Sequence, residues 1–320
     1  MRKARRSLLG LGGATVLLNA LPAGARAGEV RVIAGPAFGS AWRLVLPRTR
    51  DEGEARERVE RVVARVDARM SPFRDRSEVA RFNRAGRAAL SDETERVARA
   101  ALALARDSGG AFDPTTAPLS RRYGFGAAAI AATRPAARYR DLELAGGVMT
   151  TRCRGLSLDL CGIAKGHALD EIARELDGLD FLVELGGEVA ARGRHPGGRA
   201  WRIGVERPGE ARVQRVVAAD RRAMATSGDA AQFYQVGARR HAHVIDPREG
   251  APVAGDVASV SVLAHTGIEA DGLATAAMVL GPAAARPLLA ARGASALFLL
   301  RRAGGFEEVD VNGFLSGEAA

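Results

Sequence analysis

The order of elements along this chain predicts an α+β fold: mixed sheets with packed helices in one globular unit. Two observations carry that reading. Segments with a two-residue apolar period and segments with a helical period come in clumps, not in strict β–α–β alternation. Residues 28–320 are also enough chain for one substantial core, and no repeat, low-complexity tract or clear linker divides them.

Residues 1–27 precede that unit. Arg2, Lys3, Arg5 and Arg6 form a basic start, an apolar stretch runs to Leu18, and Ala25-Arg26-Ala27 offers small residues for cleavage. The apolar run is too short to span a membrane, so this segment is expected to be a cleaved export signal. The Arg5-Arg6 pair before Ser7-Leu8-Leu9 resembles a twin-arginine signal, and no Cys follows for a lipid anchor. The expected destination is the periplasm.

Residues 28–46 read as a strand pair. Glu54 to Met70 is a helix, because Val59, Val62, Val63 and Val66 share one face. Ser71-Pro72 ends it. Ser91 or Asp92 starts a second helix that reaches Asp107 and stops at Gly109-Gly110. Residues 124–139 carry weak patterning and read as irregular. Leu156–Leu160 reads as a strand, entered by a hairpin turn at Arg154-Gly155. A helix from Ala164 to Gly178 follows, then a strand Phe181–Leu185 closed by Gly186-Gly187. Downstream, Trp201–Glu206, Arg215–Ala219 and Val257–Leu263 read as strands. Gly267–Leu280 is an Ala-rich helix ended by Gly281-Pro282. A short helix and the strands Ala296–Leu300 and Glu307–Val311 close the chain.

Composition narrows the function. The net charge of +10 owes much to the leader: removing residues 1–27 takes away five of the 47 basic side chains and none of the 37 acidic ones, leaving +5. Arginines are scattered, without basic blocks interleaved with aromatics, so nucleic-acid binding has little support. The two cysteines, Cys153 and Cys161, lack zinc-ligand spacing. A turn at Arg154-Gly155 would set Cys161 opposite a residue near Val148, which argues against a disulfide.

Beyond Lys3 the chain holds one lysine, Lys165, among dozens of arginines. A compact ammonium in an arginine-biased chain suits a phosphate better than a planar fork would. Asp271 and Thr275 are four apart on a helix and so stack a carboxylate and a hydroxyl on one face, a hard-oxygen pair suited to Mg²⁺. The same spacing also suits a helix cap with a packing Thr. Gly109 to Thr115 could present backbone N–H groups and an aromatic edge, or be a plain helix end with an Asp-Pro turn. His241 and His243 would share one face of a strand, with a base or orienting role favoured over a metal pair. Thr226-Ser227-Gly228-Asp229 reads as a small polar turn. No nucleophile elbow, Walker loop or Rossmann fingerprint is present.

Taken in order, Met70-Ser71-Pro72-Phe73 with Ser77-Glu78 and Asn83, Gly110 to Thr115, Leu158 to Gly166, Leu185 to Glu188, Thr226 to Asp229, His243 to Pro247, and Ala270-Asp271 to Thr275 resemble the FAD:protein FMN transferases, the ApbE family. That resemblance implies an ApbE-like fold over residues 28–320 and Mg²⁺-dependent transfer of the FMN half of FAD onto a Thr hydroxyl of an acceptor protein, with release of AMP. It implies FAD contacts at Met70, Phe73, Ala111, Phe112, Asp113, Asp159, Lys165 and Ile245. It implies metal ligands at Ala164 (through its carbonyl), Asp271 and Thr275, with His243 and Asp271 in the catalytic roles. Cys161, Phe73, Glu188 and Ala274 depart from common family residues, and Ala274 bears on a second metal.

The family's acceptor motif resembles Ser/Thr-Gly-Ala-Thr. Ser227-Gly228-Asp229-Ala230 offers no such Thr, so modification of another protein is expected, with membrane or periplasmic electron-transfer flavoproteins as the partners. Two other readings use the same residues: an FAD pyrophosphatase giving FMN and AMP, and a periplasmic FAD-binding protein without turnover.

Overall fold

The computed structural model describes residues 29–123, 138–219, 221–229, 233–236 and 239–317. The export signal expected at 1–27 lies outside those residues, as does all of the irregular stretch expected at 124–139 except Arg138 and Tyr139.

In chain order the elements are β1 (Val30–Ala37), β2 (Ser40–Pro47), α1 (Glu52–Met70), α2 (Glu78–Ala85), β3 (Arg87–Ala89), α3 (Asp92–Asp107), α4 (Ala117–Arg122), β4 (Leu142–Ala145), β5 (Val148–Thr151), α5 (Cys161–Glu175), β6 (Phe181–Leu185) and β7 (Glu188–Arg192). There follow β8 (Trp201–Glu206), β9 (Val213–Ala219), β10 (Ala223–Gly228), β11 (Phe233–Val236), β12 (Arg239–Ala242), β13 (Ile245–Asp246), β14 (Ala251–Pro252), β15 (Val257–Ala264), α6 (Gly267–Ala291), β16 (Ser295–Arg302) and β17 (Gly305–Val311). Eight strands make the main sheet, in the order β1-β2-β6-β7-β10-β15-β16-β17. Every pairing in it is antiparallel. The α+β expectation holds.

Alternation along the strands divides the core. Val260, Val262, Ala296 and Phe298 face the helical layer of α1, α3, α5 and α6. Leu263, Leu297 and Leu299 face the other way, against Trp201, Ile203, Val205 and Val217 of the β8–β9 hairpin. The sheet is therefore buried on both faces, and each fully buried Leu or Phe there contributes about 1.5–3 kcal/mol. That is why all five residues of β6, Glu184 included, are buried instead of alternate ones. α6 is long and apolar enough to cross a membrane by composition, but Ala270, Leu273, Ala274, Ala277 and Met278 are core residues of this layer. Gly281 (φ 72°, ψ 170°) breaks its helical geometry just before Pro282, at the expected end.

Helices α5 and α6 cross in close contact. A Cβ at Gly166 would lie 2.1 Å from the Gly267 carbonyl oxygen, and one at Gly267 would lie 2.4 Å from the Gly166 carbonyl oxygen. The crossing is locked by Asp170, whose carboxylate accepts from Gly267 N (2.6 Å) and Ile268 N (2.9 Å) and so caps α6 from α5.

Several expectations are corrected. Leu156–Leu160 is not a strand, and Leu160 (φ −100°, ψ 7°) is the N-cap of α5. The Asn83 side chain occupies the partner's place, accepting from Leu158 N (2.7 Å) and donating to Leu158 O (3.0 Å). The hairpin here is β4–β5, turned at Gly146 and Gly147 with positive φ, not at Arg154-Gly155. Both cysteines are free; the chain does turn at Arg154-Gly155, with Leu156 N donating to the Cys153 carbonyl at 3.3 Å, but no strand follows the turn. α5 begins at Cys161, not Ala164, because the Asp159 carboxylate accepts from Cys161 N at 2.9 Å. Thr226-Ser227-Gly228 ends strand β10 instead of forming a turn. β12 stops at Ala242, so His243 falls on the bend beyond the strand that carries His241.

Candidate active site

A cleft of about 780 Å³ opens at the end of the α5–α6 crossing, between the start of β7, the end of β10 and the β8–β9 hairpin. The structure brings Ala111, Phe112, Asp113, Asp159, Lys165, His243, Ile245, Asp271 and Thr275 to its walls. These come from four separate stretches of chain.

Each stretch is held by its own local physics. Positive φ at Gly109 (62°) and Gly110 (83°) turns the chain out of α3, and Ser108 Oγ accepts from Phe112 N at 3.0 Å. Asp113 then organises the turn. Its carboxylate accepts from Thr115 N (2.8 Å), Thr115 Oγ1 (2.6 Å) and Tyr139 N (3.0 Å). Burial nevertheless pushes the Asp113 carboxyl above its ordinary value. Ile245 sits on the short β13–β14 ladder, and Asp246 is tied to Arg248 at 2.8 Å.

The electrostatic centre is Lys165. Its ammonium pairs with Glu188 Oε1 at 2.5 Å and points at the Gly186 carbonyl at 3.4 Å. Burial works to lower its pKa, but the Glu188 and Asp271 carboxylates hold it above the usual lysine range. Asp271, 4% exposed, accepts from Gly166 N through Oδ2 at 2.9 Å. Burial raises the Asp271 and Glu188 carboxyls alike. Two buried carboxylates thus face one ammonium, and Glu188 Oε2 is buried with no hydrogen-bond partner. Thr275 Oγ1, one turn beyond Asp271, lies 3.5 Å from the Gly162 carbonyl. Excess negative charge, an orphaned carboxylate oxygen and hard oxygen donors together suit a divalent Mg²⁺ ion.

Ala164 lies one residue before Lys165 on α5 and is half-buried, outside the cleft lining itself. Met70 and Phe73 are elsewhere. Met70, 2% exposed, turns into the main core at the end of α1, and Phe73 is 64% exposed; neither lines the cleft.

Two cleft residues were not singled out from sequence. Glu188 enters the sequence reading only as part of the Leu185 to Glu188 segment and as a departure from the family residue, although a lone half-buried Lys implies a counter-ion nearby. Glu206 ends β8 with Oε1 buried and unpartnered, and burial and the neighbouring Glu184 raise its carboxyl to about 7. Nothing in its local sequence marks it, because its position comes from the hairpin packing over the sheet.

A second acid–His cluster, Glu93, His167 and Glu171, has ligand atoms within 4.8 Å of one another. Arg65 pairs with both carboxylates (3.2 and 3.0 Å), Arg69 pairs with Glu93, and His167 Nε2 is 3.0 Å from Glu93. The guanidiniums already neutralise it, so it has no charge deficit for a cation to fill.

The profile of the ApbE family matches residues 38–298. The chain belongs to the ApbE family. It is 31% identical over 303 residues to a Vibrio cholerae FAD:protein FMN transferase, covering 88% of this chain and 91% of that one. The crystal structure of the Pseudomonas stutzeri flavinyl transferase ApbE in its apo form superposes with a TM-score of 0.80 at 32% identity, covering 91% and 98% of the two chains. That of the ApbE protein of Thermotoga maritima gives 0.81 at 26%, covering 91% and 100%.

Proposed function

We propose that this chain is a Mg²⁺-dependent FAD:protein FMN transferase that moves FMN from FAD onto a Thr hydroxyl of another exported protein and releases AMP. The observation that carries the reading is the half-buried Lys165 held by buried Glu188 beside buried Asp271 in the cleft of an ApbE-family chain. Relatives named for this activity share most of its length.

In the reaction, the acceptor oxygen forms a bond to the FMN-side phosphorus, and the bond from that phosphorus to the bridging oxygen breaks. AMP leaves with the electron pair. Asp271, Thr275 and the Ala164 carbonyl would hold Mg²⁺, which would supply charge neutralisation on the diphosphate. Lys165 adds a fixed point charge in a site of low dielectric, where it is worth more than in water. Glu188 keeps that ammonium oriented. His243, half-buried on the cleft wall, takes the proton of the attacking hydroxyl. The aromatic Phe112 and the Asp113 turn bind FAD together with Asp159 and Ile245. Residues 1–27 direct the chain to the periplasm, where electron-transfer flavoproteins carrying a Ser/Thr-Gly-Ala-Thr-like motif are the acceptors.

The test is AMP formation by the mature chain with FAD and Mg²⁺, with and without an acceptor domain. AMP release that requires the acceptor and stops in EDTA supports transfer. Equal AMP and free FMN without acceptor would make the chain an FAD pyrophosphatase instead.

A further inference from the structure

Strand β10 is paired along its whole length on one side only. With β15 the register runs from Ala223↔Ala264 to Gly228↔Ser259. With β7 it stops after two residues, Ala223↔Ala190 and Met224↔Val189. The cause is the β6–β7 turn. β7 begins at Glu188, where Gly186 (φ 64°) and Gly187 (φ 112°) fold the chain back into β6. Beyond that turn, no strand among the described residues is paired with Ala225–Gly228 on this side.

This open lane is part of the reaction cleft. Thr226, Ser227 and Gly228 are half-buried and line it. Arg207–Ala211, the tip of the β8–β9 hairpin, lines the same cleft. The lane ends at the Gly186-Gly187 turn, whose Gly186 carbonyl faces the Lys165 ammonium at 3.4 Å. Glu188, the next residue of the vacant lane's own strand, pairs with that ammonium. An occupant of the lane therefore meets the charged cluster end-on.

We propose that this lane docks the acceptor polypeptide. A short extended segment of the acceptor lies beside Ala225–Gly228 as an added strand, bonded through its main chain, and delivers its Thr hydroxyl to the Lys165–Asp271 end of the cleft. The inference rests on the transferase reading above. Geometry favours a peptide here. Neighbouring strands sit about 4.8 Å apart, and four residues of added strand span roughly 13 Å. The lining residues Ser227, Gly228, Ala258 and Ser259 are small, which suits a segment of small and hydroxylated residues. A transferase of this kind must admit a protein hydroxyl into the cavity that holds the diphosphate, and an unpaired strand edge is the recognition element present there.

The experiment is amide hydrogen exchange on the mature chain with Mg²⁺, alone, with FAD, and with a flavoprotein domain that it flavinylates. That domain carries its target Thr changed to Val so that the complex persists. Amides of Ala225–Gly228 not bonded to β15 are expected to exchange about ten-fold or more slowly with the acceptor domain, as new ladder bonds require. FAD alone should not reproduce that protection. Protection by FAD alone with none added by the acceptor would give the lane to FAD and overturn the proposal. Unchanged exchange with the acceptor bound would overturn it too.

A second readout uses Ala211→Trp on the exposed hairpin tip. Its bulk across the lane is expected to raise KM for the acceptor by about ten-fold, the equivalent of one or two ladder bonds, while KM for FAD stays within about two-fold. An unchanged acceptor KM contradicts the docking assignment. A wild-type chain that transfers no flavin to any acceptor defeats the transferase reading instead, which keeps the two failures distinct.

Discussion

Gly166 and Asp271 are joined across two helices. The Gly166 N–H donates to Asp271 Oδ2 at 2.9 Å, and a Cβ at Gly166 would lie 2.7 Å from the Asp271 Cβ. The backbone of α5 thus fixes the carboxylate of α6, and only a residue without a Cβ permits the approach. The helix crossing that builds the core also sets the geometry of the charged cluster.

Gly166→Ala should therefore damage fold and site together. The added methyl meets the Gly267 carbonyl at 2.1 Å, and relief requires the helices to part. A loss of about 1–3 kcal/mol is expected, read as a lower Tm, with transfer activity falling further than the loss of folded protein explains. A variant with wild-type Tm and activity would contradict the crossing.

Asp271→Asn retains an oxygen for the Gly166 N–H but removes the charge. Transfer should fall by about 100-fold or more, with the Mg²⁺ requirement moved upward and Tm little changed. A wild-type rate at wild-type Mg²⁺ would remove Asp271 from the metal site.

Glu188→Gln separates the two partners of Lys165. Loss of the carboxylate frees the ammonium and removes an orphaned oxygen from the cluster. About a ten-fold fall in kcat is expected, from one lost charge-assisted contact, and more Mg²⁺ should be needed for half-maximal rate. No change in either would show that Glu188 is a bystander.

How much of this was legible from the chain differs by level. Valines 59, 62, 63 and 66 mark α1, and Gly281-Pro282 marks the end of the regular part of α6, because both signals are local. Leu156–Leu160 misleads because its strand-like composition is satisfied by one side chain, Asn83, far away in sequence. Lys165, Asp271 and Thr275 are visible through rarity and spacing. Glu188 and Glu206 are not, because their meaning depends on which elements pack beside them. Met70 and Phe73 are expected as FAD contacts by resemblance, and the structure sets both outside the cleft lining.

His243→Ala tests the proton acceptor. FAD binding should persist while kcat falls by about 100-fold, and the loss should be smallest at high pH, where the acceptor hydroxyl needs less help. Lost FAD binding with an unchanged rate for the bound fraction would exclude the base role.

Glu206 makes a stability prediction with a definite sign. Its folded carboxyl titrates near 7, above the ordinary 4.5, so the folded chain binds this proton more tightly than the unfolded chain. The resulting stability is present at low pH and is lost as pH rises from about 4.5 through 7. Glu206 is part-exposed, and after allowance for solvent screening the effect is on the order of 1 kcal/mol. Thermal melts of Glu206→Gln should lose this part of the pH dependence and exceed wild type at pH 8. An identical pH profile for the variant would contradict the buried-carboxyl assignment.

The most direct test of the central claim is the mass of an acceptor domain after incubation with the chain, FAD and Mg²⁺, followed by fragment analysis. The expected result is a gain of one FMN unit on a single Thr of the acceptor, absent in EDTA and absent with Asp271→Ala, with no covalent flavin on the enzyme itself. An unmodified acceptor beside free FMN and AMP, or flavin attached to the enzyme's own side chains, would contradict it.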